Sequence, residues 1–441
     1  MTGKIASVAL LVSFASVAQP VILEHARIID GTGRPPLEDA AIVVDGGRIA
    51  AVGTVGKVQR PKGVRVVDAS GKTIIPGLIV AHGHVGVTMD GQIRPDAYTR
   101  ENVLHQLAQY ERYGVTAVMA LGLNRDLGYE LRDEQRRGGV PGASLFVAGR
   151  GIGAPDGAPP LPVAPDQVYR PQSAEEAIKD AQETAAHHAD MLKVWVDDIF
   201  GKMPKLRRDV YAAAIQQAHR DHLRVAAHVF YLEDAKALAA AGVDVLAHSV
   251  RDAHVDDDLV ATMKQKGIFY IPTLNVDESS FVFAENPAFL EDTFLAGALP
   301  EKQLQQLKSP DYAKKVAADP NLAKNKAAVA NGMHNLKALH DAGVKVAFGT
   351  DSGGNPVRVQ GWGEHRELEL MVRAGLKPMD AIVCATRGSA AFLHAADRGT
   401  LEAGKRADFV VLAANPLDEI RNTRKLVSVW HDGRENTAVA H

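Results

Sequence analysis

The tripeptide His82-Gly83-His84 sets two imidazoles two residues apart. On an extended strand that spacing puts both side chains on one face, where they can converge on a single cation. Lys193, His228, His248 and Asp351 follow, each inside or just beyond a short apolar run. Imidazole and carboxylate are good ligands for a divalent metal such as zinc. Each residue alone has an ordinary explanation. A strand-end His is commonly a hydrogen-bonded structural group, a lone Lys snorkels, and a lone Asp caps a turn or helix. Six such residues in register with successive apolar runs are better explained together, by a shared metal site.

The elements that must position them are visible in the same pattern. Eight short apolar runs occur in order: "GLIVAHGHV", "GVTAVMALG", "SLFVAGRGI", "MLKVWVDD", "RVAAHVFY", "VDVLAHSV", "IFYIPTLNV" and "VKVAFGTDSG". Helical patterns separate most of them, and Ser173-Ala174-Glu175-Glu176 has the form of a capping box. Buried parallel strands read as continuous apolar runs, and eight strand–helix units are what a (β/α)8 TIM barrel needs. Barrel chemistry sits at the C-terminal strand ends. Five of the six residues fall there; Lys193 lies mid-strand and must point inward.

Strand-and-turn segments flank this middle. "PVILEHARIIDGTG", "AAIVVDGGRIAAVG" and "VRVVDASGKTIIPG" precede it, and "GTLEAGKRADFVVLAANP" and "VSVWHDGREN" follow it. The expectation is an α/β protein: a barrel over 76–397, with a small β-sandwich domain formed by both chain ends, 19–75 and 398–441. One connection is far longer than the usual 2–6 residues. It predicts a helical insertion near 275–330, containing Phe281, Phe283, Phe289 and Phe294. These phenylalanines either line a substrate lid or form the core of a helical subdomain; the sequence leaves both open.

Hydrophobic residues make up 46% of the 441 and charged residues 23%, a globular balance with a large core. The formal net charge of −3, with no basic patch, gives no reason to expect a nucleic acid or anionic membrane partner. Lys4, the apolar run Ile5 to Phe14 and Ala15-Ser16-Val17-Ala18 suggest a signal peptide over 1–18, hence export to the periplasm or secretion. No later segment suggests a membrane span. Cys384 is the one cysteine, so no intramolecular disulfide can form; it reads as a small core residue.

Taken together, "PGLIVAHGHV", "MLKVWVDD", "VAAHVFYLEDAKALAAAGVDVLAHSV" and "VAFGTDSGGNP" resemble the amidohydrolase superfamily, in its binuclear branch related to prolidase and imidazolonepropionase. The resemblance runs from about Pro20 to Glu435. It implies two divalent metal ions, zinc foremost with manganese, cobalt or iron open. His82, His84 and Asp351 would hold one, and His228 and His248 the other. Lys193 would be a CO2-derived carbamate bridging them. It implies a metal-activated water, with Asp351 as base and then acid. Mononuclear deaminases of the superfamily generally lack the Lys and place a Glu soon after the fifth-strand His. Here Val229-Phe230-Tyr231 follows His228, and Glu233 is out of position. The sixth strand, "LAHSVRD", departs from the Gly that many prolidase-like relatives carry after the His.

The function implied is hydrolysis of an amide or peptide bond in a small molecule: a dipeptide, an N-acyl amino acid or another amide. Phosphotriester, lactone or carbamate ester hydrolysis at the same site is the alternative, and a non-catalytic metal-binding protein a more distant one. Tyr231, three residues past His228, is a further catalytic candidate at the rim. Arg150 could meet an anionic group, and His254 and His365 could support the site. A homo-oligomer is left open.

Overall fold

The computed structural model describes residues 19–441; the expected signal peptide lies outside the described residues. Among the described residues seventeen strands occur: β1 (Val21–Ile28), β2 (Leu37–Asp45), β3 (Arg48–Thr54), β4 (Arg65–Asp68), β5 (Thr73–Pro76), β6 (Leu78–Gly83), β7 (Thr88–Met89), β8 (Gln92–Ile93), β9 (Val115–Ala120), β10 (Ser144–Val147), β11 (Leu192–Trp195), β12 (Val225–His228), β13 (Val245–Ala247), β14 (Phe269–Ile271), β15 (Phe409–Leu412), β16 (Leu426–His431) and β17 (Arg434–Asn436). The molecule is an α/β protein.

The two chain ends share one eight-stranded sheet, ordered β17-β16-β15-β5-β1-β2-β3, with β4 also paired to β1. This is one continuous mixed sheet, where a sandwich of two sheets was expected. The join is β15 against β5, antiparallel, with Val410 opposite Ile75. β1 is long enough to pair along β2 on one side and with both β4 and β5 on the other. Its inward residues Leu23 and Ile28, brought to one face by irregular pairing between them, join Ile42, Phe409, Val411 and Trp430 in a core of their own. The Phe409 and Trp430 rings stack at 5.2 Å. Trp430→Ala is expected to destabilise the protein by about 3–5 kcal/mol, as for other large-to-small core changes; a urea midpoint unmoved by that substitution would count against this packing.

The middle of the chain forms two parallel sheets, β10-β9-β6 and β11-β12-β13-β14. Both are buried, as continuous apolar strands require. Single bridges connect them: Ile152 with Val194, Tyr270 with Val346, and Gly83 with Ser352. The eighth expected strand, "VKVAFGTDSG", is represented only by those last two bridges. Its backbone nonetheless follows β6, with Ala81 N–H donating to Phe348 O and both Thr350 and Asp351 N–H donating to His82 O.

Ser173 caps its helix by accepting from Glu176 N–H, but the Glu176 carboxylate reaches Gln172 N–H, one residue before the expected partner. The long connection is helical, a series of short helices from Asn275–Glu278 to Pro310–Ala317 leading into the helix Leu322–Asp341. Phe283, Phe289 and Phe294 pack on Trp362, Tyr113 and His365. Phe283 and Phe294 are core and Phe289 packs partly buried against it, so the lid reading is not needed for them. Among the described residues, no helix is long and apolar enough to cross a membrane.

Candidate metal centre

His82 and His84 leave the end of β6 on one face, and Gly83 between them faces the other. A side chain at Gly83 would meet the Tyr110 hydroxyl at 2.7 Å and Val118 at 3.0 Å, so close packing of a helix requires glycine there. Asp351 comes to the same point from the far side. Its Oδ1 lies 2.7 Å from His84 Nε2 and 3.1 Å from His82 Nε2. All three residues are buried, and their ligand atoms group as tightly as metal binding requires.

The remaining histidines continue the cluster. The His82 and His248 rings are 4.6 Å apart, and those of His248 and His228 4.3 Å apart. Each of these two is fixed through one nitrogen: His228 Nε2 lies 2.8 Å from Asp197 Oδ2, and His248 Nδ1 lies 2.7 Å from Thr273 Oγ1. That leaves His228 Nδ1 and His248 Nε2 free to serve as ligands, the arrangement in which a neighbouring partner sets ring orientation. Asp197 and Thr273 were not singled out in the sequence, although Asp197 ends the quoted run "MLKVWVDD".

Lys193 points inward from β11, fully buried, and its Nζ has no hydrogen-bond partner among the described residues. Burial pushes its ammonium pKa down to about 7. Its site is shaped by Gly151, whose φ is +83° and whose position leaves no room for a Cβ. A methyl there would sit 2.4 Å from Trp195 Cζ3 and 3.2 Å from Lys193 Cβ. Gly151→Ala is therefore expected to cost about 1–3 kcal/mol in backbone strain alone, and to lower metal retention as Lys193 shifts. Thermal unfolding with metal analysis checks both.

Electrostatics favour the neutral imidazole at His82 and His248 and the ionised acid at Asp351. Burial, then the nearby Lys193 charge, holds His82 well below the usual imidazole range. Burial, then His228 and His82, does the same for His248. Burial opposes charge on Asp351, yet Arg358 and the two imidazoles hold its carboxyl well below the usual range. Neutral imidazole and carboxylate are the forms that bind cations. Asp197 is likewise held at about 2, the bond from His228 and nearby positive charge outweighing burial.

Backbone strain gathers here as well. His248, Thr273 and Asp351 all have left-handed φ, +79°, +45° and +56°. Such positions cost about 1–3 kcal/mol each and persist where the surroundings impose them. Glu364 helps to impose the last: its buried carboxylate accepts from Thr350 and Ser352, which flank Asp351, and from Gly361 N–H.

The other residues singled out in the sequence lie outside the cluster. Tyr231 lies at the rim, but its hydroxyl donates to Asp198 Oδ1 at 2.7 Å and its ring carries Lys205 Nζ at 4.0 Å. These contacts brace the Tyr231 side chain at the rim. Arg150 is tied to Glu183 and Asp126 and stacks on Tyr169. His365 bridges Tyr113 O and Thr423 Oγ1 within the core. His254 stacks on His334 at 3.7 Å, both exposed. Cys384 is buried, as expected, and burial pushes its thiol up to about 12.

The cavity beside the cluster has a volume of about 210 Å³, and its wall includes His228, Asp351, Asp197, Phe200, Phe230 and two arginines, Arg251 and Arg358. Both arginines escaped sequence reasoning. Arg358 sits in a Gly- and Pro-rich turn without periodicity, and only the fold returns it to Asp351, to which its Nη1 donates.

This arrangement, histidines and an acid gathered where parallel strands end, defines a hydrolase of known lineage. Residues 73–438 match the amidohydrolase family, and the chain belongs to it. Ochratoxinase from Aspergillus niger is 24% identical over 96% of this chain and 88% of that protein. Imidazolonepropionase from Streptomyces griseus is 26% identical over 92% of this chain and 94% of its own length. Among solved structures, a prolidase-like protein from Bifidobacterium longum superposes with a TM-score of 0.76 at 25% identity, covering 96% of this chain and 97% of that one.

Proposed function

We propose that this hydrolase cleaves amide or peptide bonds in small molecules, using two divalent cations, zinc foremost, at one end of a closed (β/α)8 barrel. The barrel would span 76–397, with the segment 344–352 as its eighth strand; the bridges to β14 and β6 support that closure. Segments 19–75 and 398–441 would form the accompanying β domain, and the leader-like first eighteen residues would direct export.

One observation carries the metal reading: the fully buried, unpartnered Nζ of Lys193. A buried charge without a partner costs several kcal/mol. A neutral amine that adds to CO2 and releases one proton becomes a carbamate, an anion that cations can neutralise. His82, His84 and Asp351 fit one cation, His228 and His248 a second, and the Lys193 carbamate would lie between them. When bound, the ions would supply Lewis acidity to a water and to the scissile carbonyl.

The remaining work falls to the chain itself. The Asp351 carboxylate, braced by Arg358 and Glu364 through its neighbours, would accept a proton from water and return it to the leaving nitrogen. Asp197 and Thr273 hold the two outer imidazoles in orientation. Phe200 and Phe230, in edge contact at 5.1 Å, narrow the cavity. The similarity to a prolidase-like protein and to ochratoxinase supports hydrolysis of this kind.

Protein supplied with zinc and bicarbonate, its metal quantified, should hydrolyse members of a panel of dipeptides and N-acyl amino acids. Chelation should abolish that turnover and added metal restore it. A panel left intact by fully loaded protein contradicts the proposal, whereas turnover of phosphotriesters or lactones alone would keep the site and change the bond.

A further inference from the structure

We propose that a second cavity, of about 470 Å³ and remote from the metal cluster, binds a phosphate group carried on a small organic molecule, with Arg398, Arg136 and Arg434 as its clamp. β6, β9 and β10 run parallel, and the cluster stands where β6 ends. This cavity lies where β10 begins, with Ser144, Leu145 and Phe146 in its wall. The opposite side of the wall comes from the C-terminal part of the chain, including His431 and Arg434 at the turn from β16 to β17. The cavity is therefore a seam between the parallel strands and the chain-end sheet.

Four arginines line it, at 136, 398, 406 and 434, and no single basic stretch of sequence contains them. Against them the wall sets two acids, Glu111 and Asp432, a balance of plus two with His431 neutral. Both acids are engaged. Glu111 accepts from Asn436 at 3.1 Å and lies 3.3 Å from His431 Nδ1, and Asp432 lies 3.4 Å from Arg406 Nη2. Arg406 also donates through Nε to Asp408 at 3.0 Å, which holds it against the wall.

The other three arginines keep donors for a ligand. The Arg398 side chain is only 9% exposed, and its Nε and Nη2 donate to Asp397 at 3.1 and 3.4 Å. Its buried Nη1 has no hydrogen-bond partner among the described residues. Asp408 Oδ2 stands 4.0 Å from that nitrogen and already accepts from Arg406. A buried cationic donor left unpaired is costly, and an oxyanion beside it offsets that cost. Arg136 is tied through Nη2 to Asp190 Oδ1 at 2.7 Å. The guanidiniums of Arg136 and Arg398 lie 5.7 and 5.8 Å from the centre of the Phe146 ring, so one aromatic side chain steadies two cations. Arg434 is exposed.

Guanidiniums in this number suit a phosphate dianion, whose oxygens accept paired N–H donors. Val140, Pro141, Leu145 and Phe146 add an apolar portion to the wall. The volume falls within the roughly 300–1,000 Å³ of small-molecule sites, so a phosphate ester with an apolar body fits better than the bare ion. Bound there, the ligand ties the connection before β10 to the β16–β17 turn and stabilises the seam.

The test is thermal unfolding and calorimetry with phenyl phosphate, inorganic phosphate and benzoate at fixed ionic strength, in wild type, Arg398→Met and Arg434→Gln. Phosphate also stabilises folded proteins by exclusion from their surface, so the difference between wild type and variant is the quantity read. Phenyl phosphate should raise the wild-type Tm by at least about 2 °C. Each variant should bind it at least about 10-fold more weakly. Binding should persist after chelation, which separates it from any phosphate held by metals. If Arg398→Met does not fold, the exposed Arg434 decides through its own variant. Inorganic phosphate bound as tightly as the ester, and lost in the variants, upholds the site with the free ion as its source. Equal binding by wild type and variants, loss of binding on chelation, benzoate bound as tightly as phenyl phosphate, or no binding to wild type overturns it.

Discussion

Lys193→Ala is expected to reduce kcat/KM by more than the 10–100-fold typical of residues that merely orient a metal ligand, and to leave the protein with less bound metal. The substitution removes the group proposed to lie between two cations. It should not unfold the chain: it also removes a buried, unpartnered amine, which offsets part of the cost of the cavity it leaves. The result has a diagnostic extension. If the working group is a carbamate, a small carboxylate such as acetate or propionate can enter the vacated space and supply an anion there. Partial recovery of turnover and of metal content with added carboxylate is the expected outcome. A variant as active as wild type, with unchanged metal, contradicts the carbamate directly.

Asp351→Asn should separate metal binding from proton transfer. The amide oxygen can still face His82 and His84, but it is a poor proton acceptor, and its NH2 would confront the Arg358 guanidinium. Loss of a general acid–base group costs about 10²–10⁴-fold in rate, and the clash with Arg358 adds to it. The expected pattern is a fall in kcat of at least that order with part of the metal retained. Rate measured beside metal content makes the distinction. Full activity in Asp351→Asn would remove this residue from the role of base.

The six residues of the cluster were legible for a physical reason. Strand ends are marked by apolar runs, and polar groups that interrupt five such runs in step stand out from composition alone. His82 and His84 carried the further signal of period two. The partners that fix them were harder to see. Thr273 and Asp197 are ordinary residues just beyond strands, and their role is set by parallel pairing that joins β12 to β11 and β13 to β14. Arg358 and Glu364 follow Asp351 closely in sequence, yet the left-handed turn at Asp351 decides where they return. A single sequence does not state a positive φ at an aspartate.

Side-chain partners were less legible for the same reason. Tyr231 was placed near the rim, and the Asp198 and Lys205 side chains that meet its hydroxyl and ring come from the preceding strand–helix connection. His365 lies on a helix that is buried on nearly every face, and its neighbours Tyr113 and Thr423 are distant in sequence. Both chain ends were recognised as β structure and expected to join in one small domain; that they join as a single sheet depends on the β15–β5 pairing, which local pattern cannot specify.

The most direct test is elemental analysis of wild-type protein prepared with bicarbonate, beside Lys193→Ala prepared identically. Two divalent ions per wild-type chain, with substantially fewer in the variant, is the result expected. Catalytically active wild-type protein carrying no divalent metal, or equal metal in both proteins, would contradict a centre assembled around this lysine.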